Sequence, residues 1–351
     1  MIKRKLYIFF VLVGIAVSGS AQQDPQFTQY MYTILPINPG YAGQTGICAS
    51  LHYRQQWAGF MDYNPISEKY DLKSSPRNVM VSIHSPIKAL HGGLGLTFYN
   101  DAYGYQNDVV VKLAYSFKMN IGGGNLGIGL SADLLSRTID KSKFFDMVGG
   151  GLGQYTADPT IINNLGESDF YFDISFGAYY MMQNKWYAGI SATNLLTVVG
   201  GDKVNQKGAR HFYAVGGYSF PIPSNPSWTL KPSALLKTDL KAVQLDLTLL
   251  ADYENFFWVG ASYRIIDAVA VIAGVKPFAN SSISAMKGLE IIASYDITTS
   301  RMLNLSRDKE TEKRSYGGYE FCIKYCFNIV TNPTIHGYKG TRLLGNKPIE
   351  Y

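Results

Sequence analysis

The sequence lacks long hydrophobic runs, has few charges and contains only three cysteines. After Val17 no stretch reaches about 18 uninterrupted apolar residues, which excludes a protein that crosses a membrane as helices. With 46% hydrophobic and 17% charged residues among 351, the chain is also too apolar to be disordered. Its formal charge of +6 is not gathered into a basic patch, so we expect no nucleic-acid partner.

Groups that carry chemistry are scarce as well. The five histidines lack the spacing of metal ligands, and none is paired with a serine in a nucleophile turn. His52 and His84 lie on the interior face of predicted strands, and a hydrolase activity would depend on them. An isolated histidine at such a position is usually structural. The glycines at 149–151 lie in a long polar segment and do not form a phosphate-binding turn. We therefore expect no enzyme activity, no cofactor and no metal site.

Aromatic residues and glycines are abundant, with 26 Tyr and 35 Gly, and they favour many strands joined by tight turns. The clearest pattern runs from Asn107 to Thr138. Apolar residues alternate there with small or charged ones, and two such halves meet at Gly122–Gly124, where positive φ is tolerated. Because side chains two apart share a face, this stretch predicts a two-faced hairpin whose strands, of roughly ten residues, suit a barrel that crosses a bilayer.

The same alternation recurs along the chain and predicts an all-β fold, a transmembrane antiparallel β-barrel of about 14 strands, after a short non-strand N-terminal segment. The candidate strands are 46–57, 77–86, 92–100, 107–120, 124–137, 169–182, 185–194, 209–221, 227–237, 241–252, 256–264, 267–278, 288–296 and 317–328. The longest connections, 58–76, 138–168 and 297–316, follow odd-numbered strands and are expected to face outward, as in outer-membrane barrels.

The chain therefore divides into four parts. Residues 1–21 have a basic start, an apolar run and small residues before Gln22, as in a secretory signal peptide. Residues 22–45 form an ordered segment, 46–328 the barrel, and 329–351 a periplasmic tail. We expect export to the outer membrane, with the N-terminal segment and the tail projecting into the periplasm.

The interior face of the predicted strands carries charges of both signs in nearly equal number, so internal ion pairs or a polar plug are expected. The plug candidates are residues 22–43 and the loop 138–168, and a plain water-filled channel remains an alternative. The charged positions are Arg54, Lys112, Lys118, Lys231, Lys237, Arg264 and Lys324, against Asp133, Asp173, Asp246, Asp252, Glu290, Asp296 and Glu320.

The three cysteines share interior parity. Cys322 and Cys326 lie roughly 13 Å apart along one strand and cannot bond each other. Cys48, near the start of the first strand, should lie beside Cys326 where the first and last strands meet, since closure of a barrel pairs them. Two hypotheses stay open: a disulfide across this seam, and three small buried side chains.

Three N-terminal segments, 24–31, 38–43 and 53–57, and two strand segments, 93–101 and 319–327, share a pattern with a known family. On these segments the mature chain resembles the PorP/SprF proteins of Bacteroidetes. The motif residues, which are also those of the possible plug, are Asp24, Pro25, Phe27, Gln29, Tyr30, Asn38, Pro39, Tyr41 and Gly43.

This resemblance implies an outer-membrane, non-enzymatic component of the type IX secretion and gliding machinery, one that helps to secrete or anchor a surface protein with a C-terminal sorting domain. The implied partners are periplasmic ring and peptidoglycan-binding subunits, or a large secreted adhesin, together with outer-membrane lipid. The alternative is a plugged transport channel for small or hydrophobic solutes. The resemblance implies no catalytic residues.

Overall fold

The computed structural model of the protein describes residues 25–58, 62–64, 69–71, 75–104, 106–139, 168–196, 198–199, 209–299 and 317–327. In these ranges fourteen strands, labelled β1–β14 in chain order, close into one antiparallel barrel. They are β1 Ile47–Gln55, β2 Arg77–Ile87, β3 Gly92–Tyr103, β4 Gln106–Ile121, β5 Gly124–Ile139, β6 Ser168–Met182, β7 Trp186–Thr193, β8 His211–Tyr218, β9 Asn225–Thr238, β10 Val243–Tyr253, β11 Phe257–Arg264, β12 Ala268–Val275, β13 Leu289–Thr298 and β14 Gly318–Phe327.

Each strand pairs with its neighbours in the chain, and the ring is completed by pairing of the first strand with the last. In this closing pair Ile47 lies opposite Phe327 and Gln55 lies opposite Tyr319. The predicted fold class is confirmed: an all-β, closed antiparallel barrel of fourteen strands that follows a non-strand N-terminal segment.

Side chains alternate between a buried interior and an exposed exterior along most strands. In β4, Lys112 and Ser116 point inward and are buried, whereas the outward Leu113 remains 55% exposed. An exterior covered with large apolar side chains is stable against lipid and would be an aggregation surface in water. The predicted hairpin of residues 107–138 is β4 and β5, joined at Gly122 and Gly123 with φ of +61° and +82°.

The two ends of the barrel differ. We call the rim where β1 begins and β14 ends the near end, and the opposite rim the far end. The four longest connections, 56–76, 140–167, 194–210 and 299–317, all follow odd-numbered strands and join strands at the far end. At the near end the longest connection is 276–288. The predicted asymmetry between long and short connections is therefore present in the structure.

Within the described residues, helical structure is limited to the following short pieces. One α-helix, α1, covers Ile34–Ile37, and single 3₁₀ turns cover Tyr30–Tyr32, Pro39–Tyr41, Lys88–Leu90 and Ser284–Gly288. Within the described ranges no helix has the length and apolar character needed to cross a membrane.

The predicted strand 209–221 is in fact two pieces. β8 ends at Tyr218, and the separate piece Phe220–Ile222 pairs with the beginning of β9. Pro232, which has no N–H to donate, lies in β9 where the pairing changes from this piece to β8. Three further short strands lie at the far end: Asp62–Asn64 pairs with Lys69–Asp71, and Val198–Val199 pairs with β6.

Candidate functional site

The N-terminal segment lies inside the barrel, and we call residues 25–46 the plug. Its sequence has no strand alternation, and its local structure depends on turn-forming residues. The Asn38 side chain accepts a hydrogen bond from the backbone N–H of Gly40 at 2.9 Å, with Pro39 at the first position of the turn. Gly43 then adopts a φ of +68°, which favours glycine, and directs the chain toward β1.

Buried charges hold the beginning of the plug at the far end. Glu320 accepts hydrogen bonds from the backbone N–H groups of Thr28 and Gln29, at 2.9 and 3.1 Å. Arg54 donates to Glu320 and to Asp296, both at 2.7 Å, and to the Thr28 hydroxyl at 3.0 Å. We call Arg54, Asp296 and Glu320 the far clamp. It joins β1, β13 and β14 to the plug through charge-assisted hydrogen bonds.

A second buried ion pair extends this arrangement across the barrel. Arg264 lies 3.2 Å from Asp246, whose carboxylate also accepts hydrogen bonds from the side-chain amide of Gln26 at 3.0 and 3.1 Å. Arg264 donates in addition to the Thr28 hydroxyl at 3.2 Å. The predicted interior ion pairs are thus present, and they share their partners with the plug. Buried charges require such pairing, because an isolated one would remain desolvated at large cost.

The middle of the plug forms an apolar core with the barrel wall. Tyr30 is 1% exposed, and its hydroxyl lies 2.8 Å from the Ser233 hydroxyl. Burial raises the pKa of Tyr30 to about 12, so the phenol stays protonated at neutral pH and can share this hydrogen bond. Tyr32 stacks on Trp258 with ring centres 6.2 Å apart. The core around α1 contains Tyr30, Ile34, Leu35, Tyr41, Ala42, Ala114, Tyr179, Tyr213, Val215 and Leu235.

The end of the plug packs backbone to backbone against glycines of the wall. A Cβ built on Gly129 would lie 2.5 Å from the carbonyl carbon of Pro39, and one on Gly40 would lie 2.7 Å from the carbonyl oxygen of Gly127. No side chain fits at these distances. We call the wall glycines whose Cβ would collide with the plug the glycine seat. Gly93, Gly127 and Gly129 face plug backbone, and Gly95, Gly177 and Gly189 face the side chains of Leu35 and Asn38.

Hydrogen bonds to wall residues fix the plug on this seat. Ser116 donates to the carbonyl oxygen of Gly40 at 2.9 Å, and the Asn38 amide donates to the backbone carbonyl oxygens of Ala178 and Ile190 at 3.0 and 3.2 Å. The backbone carbonyl oxygen of Gly40 and the side-chain amide of Asn38 are thereby satisfied away from water.

The cysteines lie where parity placed them, facing inward on the closing strands. Cys48 lies directly opposite Cys326, and the structure joins them by a disulfide between β1 and β14. Cys322 is buried and unbonded, with its sulfur 3.4 Å from Nε2 of His52. The disulfide therefore links the start of β1, directly after the plug, to the end of β14 across the seam of the barrel.

Most of the predicted plug residues belong to the interior segment. Phe27, Gln29, Tyr30, Asn38, Pro39, Tyr41 and Gly43 are buried, and Pro25 begins the described segment in a half-buried position. Asp24 and most of the loop 138–168 lie outside the described residues. The prediction that the segment projects from the barrel is wrong for residues 26–44, because their hydrogen bonds and core contacts are all made inside the wall.

Two parts of the site were not predicted as units. Parity assigned Arg54, Asp296 and Glu320 to the interior, but only the strand register shows that they meet around Thr28. The glycine seat had a signal in the alternation of Gly127 and Gly129 with apolar residues, but this alternation does not reveal what packs against it.

No group of three or more histidine, cysteine, aspartate or glutamate side chains suited to a metal occurs in the described part of the chain. His84, the other interior histidine of the first strands, lies edge-on to Tyr41 of the plug with ring centres 5.1 Å apart. His52 and His84 thus contact the seam and the plug, respectively.

Comparison with known proteins gives a family match and distant structural likenesses. Residues 19–325 match the family described as type IX secretion system membrane protein PorP/SprF. No curated protein is similar enough to be matched. Among solved structures, the toluene transporter TodX of P. putida is 10% identical with a TM-score of 0.45, covering 83% of this chain and 92% of its own.

Two further structures show comparable likeness. The Ralstonia pickettii toluene transporter TbuX is 11% identical with a TM-score of 0.42, covering 83% of this chain and 92% of its own. The Acinetobacter baumannii outer membrane protein Omp33 is 9% identical with a TM-score of 0.39, covering 81% of this chain and 100% of its own. The barrel assignment rests on the strand pairing of this chain and not on these likenesses.

Proposed function

Because this chain belongs to the PorP/SprF family of type IX secretion system membrane proteins, we propose that it is a structural docking subunit of the outer membrane. In this role it helps to secrete, or holds at the cell surface, a protein with a C-terminal sorting domain, within the secretion and gliding machinery. Its partners are periplasmic ring and peptidoglycan-binding subunits, a large secreted adhesin, or both.

The observation that carries this proposal is the occupied lumen. The plug bonds to Glu320 and Asp246 on one side of the barrel and to residues of β4, β6 and β7 on the other. Its middle is part of a buried apolar core. A lumen filled in this way supports a subunit that works through its two ends better than it supports an open channel.

The two ends fit different partners. By the usual asymmetry of outer-membrane barrels, the far end with its long connections faces outward and would hold the secreted protein. The near end then faces the periplasmic subunits. In this proposal residues 1–21 are a signal peptide that is removed, 22–45 are the N-terminal segment, 46–328 form the outer-membrane barrel, and 329–351 are a periplasmic tail.

The first experiment identifies what stays bound after mild detergent extraction from native membranes. We expect type IX periplasmic subunits or a large secreted protein with a C-terminal sorting domain in the purified complex. Repeated isolation of the barrel alone, under conditions that preserve other membrane complexes, would contradict the docking role.

Single-channel recording tests the occupied lumen. The intact protein should not conduct, and deletion of residues 22–43 should open a pore, since the plug fills the space between the walls. Circular dichroism would show that the deletion variant is still a barrel. Steady conductance or solute uptake by the intact protein would instead support the alternative function, a plugged transport channel for small or hydrophobic solutes.

A further inference from the structure

The near end of the lumen is filled unevenly. Beside β3, β5 and β6 the plug covers the glycine seat. Beside β9, β13 and β14 inward side chains remain partly open, with 38% of Lys231, 16% of Lys324 and 14% of Glu290 exposed. We call this opening the near-end recess; it consists of Lys231, Asp252, Trp258, Lys276, Glu290 and Lys324.

The recess carries more positive than negative charge. Lys231 pairs with Asp252 at 2.8 Å, while Glu290 is shared between Lys276 at 3.2 Å and Lys324 at 3.8 Å. Three ammonium groups therefore meet two carboxylates among the described residues of the recess. On an open surface, solvent ions would neutralise this excess positive charge. In the recess the charge lies between walls of low dielectric, which strengthens its attraction for an anion.

The base of the recess offers a further donor. Trp258 is 3% exposed, and its indole N–H has no hydrogen-bond partner within the described part of the chain. The indole lies against Gly274, where a Cβ would come within 2.5 Å of Nε1, and Lys276 follows on the same side of the chain. Tyr32 covers the ring from the inside and also lies under the Lys324 ammonium, 5.7 Å from the ring centre. Indole and ammonium groups can only donate, and both carboxylates of the recess already pair with lysines, so the indole N–H is left without an acceptor.

We propose that the near-end recess binds an oxyanion, and that its source is a carboxylate of an acidic peptide segment presented from the near side. A carboxylate or phosphate supplies an acceptor for the unpartnered indole N–H and a negative charge that balances the third lysine. A lipid phosphate is disfavoured because the recess opens into the lumen, whereas lipid head groups surround the outer wall. The choice of a peptide rests on the proposed docking function, but the oxyanion site itself does not.

The test uses the purified full chain in detergent and a peptide of alternating glutamate and glycine, with a glutamine-containing peptide of equal length as the uncharged probe. Binding is measured by titration calorimetry. We expect the glutamate peptide to bind and the glutamine peptide to bind at least tenfold more weakly. Lys276→Gln is the informative variant, because it removes the excess charge and leaves Glu290 paired with Lys324. It should weaken binding about tenfold, the loss expected for one charge-assisted hydrogen bond.

A matched control is Lys241→Gln, which changes an exposed lysine in a far-end turn and should leave binding unchanged. Trp258→Phe should weaken binding severalfold without changing the melting temperature, since the indole N–H has no partner to lose. Competition by inorganic phosphate would support the oxyanion site. Equal binding of both peptides, or equal effects of the two lysine variants, would overturn it.

A third probe, vesicles containing phosphatidylglycerol, separates the possible sources. Binding to vesicles that Lys276→Gln abolishes, without peptide binding, would overturn the peptide assignment. The outcome is also separable from that of the docking role. If the native complex survives Lys276→Gln unchanged, the recess is not the contact with the partner, while the docking role stands. If the protein binds the glutamate peptide but co-purifies with nothing, the oxyanion site stands and the docking role is contradicted.

Discussion

The two sides of the barrel hold the plug by opposite means. On the side of β3, β5, β6 and β7 the wall presents glycines, and the backbone of the plug and the side chains of Leu35 and Asn38 approach them closely at the seat. On the side of β9–β14 and β1 the wall presents long side chains, and the plug is held by carboxylates, arginines and a buried apolar core. Glycine brings the plug within contact of one wall, and charged side chains span the wider gap to the other.

This difference teaches how a filled barrel can still keep an opening. Where glycines line the wall, the plug packs directly against them and closes the interior. Where long side chains line it, the space beyond Tyr32 toward the near end stays partly open as the near-end recess. The predictions below alter one side at a time, in order of decreasing effect.

The largest effect is expected from Arg54→Met on the charged side. The change removes the guanidinium that lies 2.7 Å from both carboxylates, so that Glu320 is buried without a guanidinium partner and Asp296 keeps only Arg264, at 3.8 Å. Removing one member of a buried ion pair typically costs about 3–5 kcal/mol. Urea unfolding in detergent or lipid should show a loss of this size in the free energy of unfolding.

The control for this variant is Arg77→Met, since Arg77 lies beside Gln55 at the same end of the barrel but is exposed. It should change stability by less than about 0.5 kcal/mol. Similar losses for both arginines would mean that the far clamp does not hold the plug.

The next effect concerns the seam between the two sides. Replacing both Cys48 and Cys326 by serine removes the cross-link that the structure places there, and the free energy of unfolding should fall by about 2–4 kcal/mol. Reducing agent should lower the stability of the parent protein by a similar amount and leave the double variant unaffected. Mass spectrometry that finds both thiols free in air-oxidised protein would contradict the disulfide.

A smaller loss is expected on the glycine side. Gly129→Ala introduces a methyl group 2.5 Å from the Pro39 carbonyl carbon, so the plug must shift, at a cost of about 1–3 kcal/mol. Gly216→Ala is the matched control, because its methyl group would meet only the Tyr187 carbonyl oxygen at 3.5 Å. Thermal unfolding of the two variants measures the difference, and equal melting temperatures would show that the seat is not a close contact.

Much of the fold was predictable because strand alternation is a local property. The hairpin of β4 and β5 follows from apolar residues at every second position and from glycines where φ is positive. The break after Tyr218 was not predicted, because a proline at 221 disturbs pairing in a way that depends on which strand lies beside it.

The candidate site was predictable only in part. The motif residues of the plug, the inward parity of Arg54 and Glu320, and the opposition of Cys48 to Cys326 all follow from sequence pattern and barrel closure. The meeting of Arg54 and Glu320 at Thr28 does not, because these residues are separated by hundreds of positions and approach each other only through the strand register.

By itself the sequence determined the alternation of each strand, and through it the barrel, its apolar exterior and the inward face of the charges. The tertiary structure alone decided where the N-terminal segment lies and which wall residues hold it. The physical reason is range: alternation and turn chemistry act between neighbours in the chain, whereas close packing on glycine and pairing of buried charges depend on distances that only the closed barrel sets.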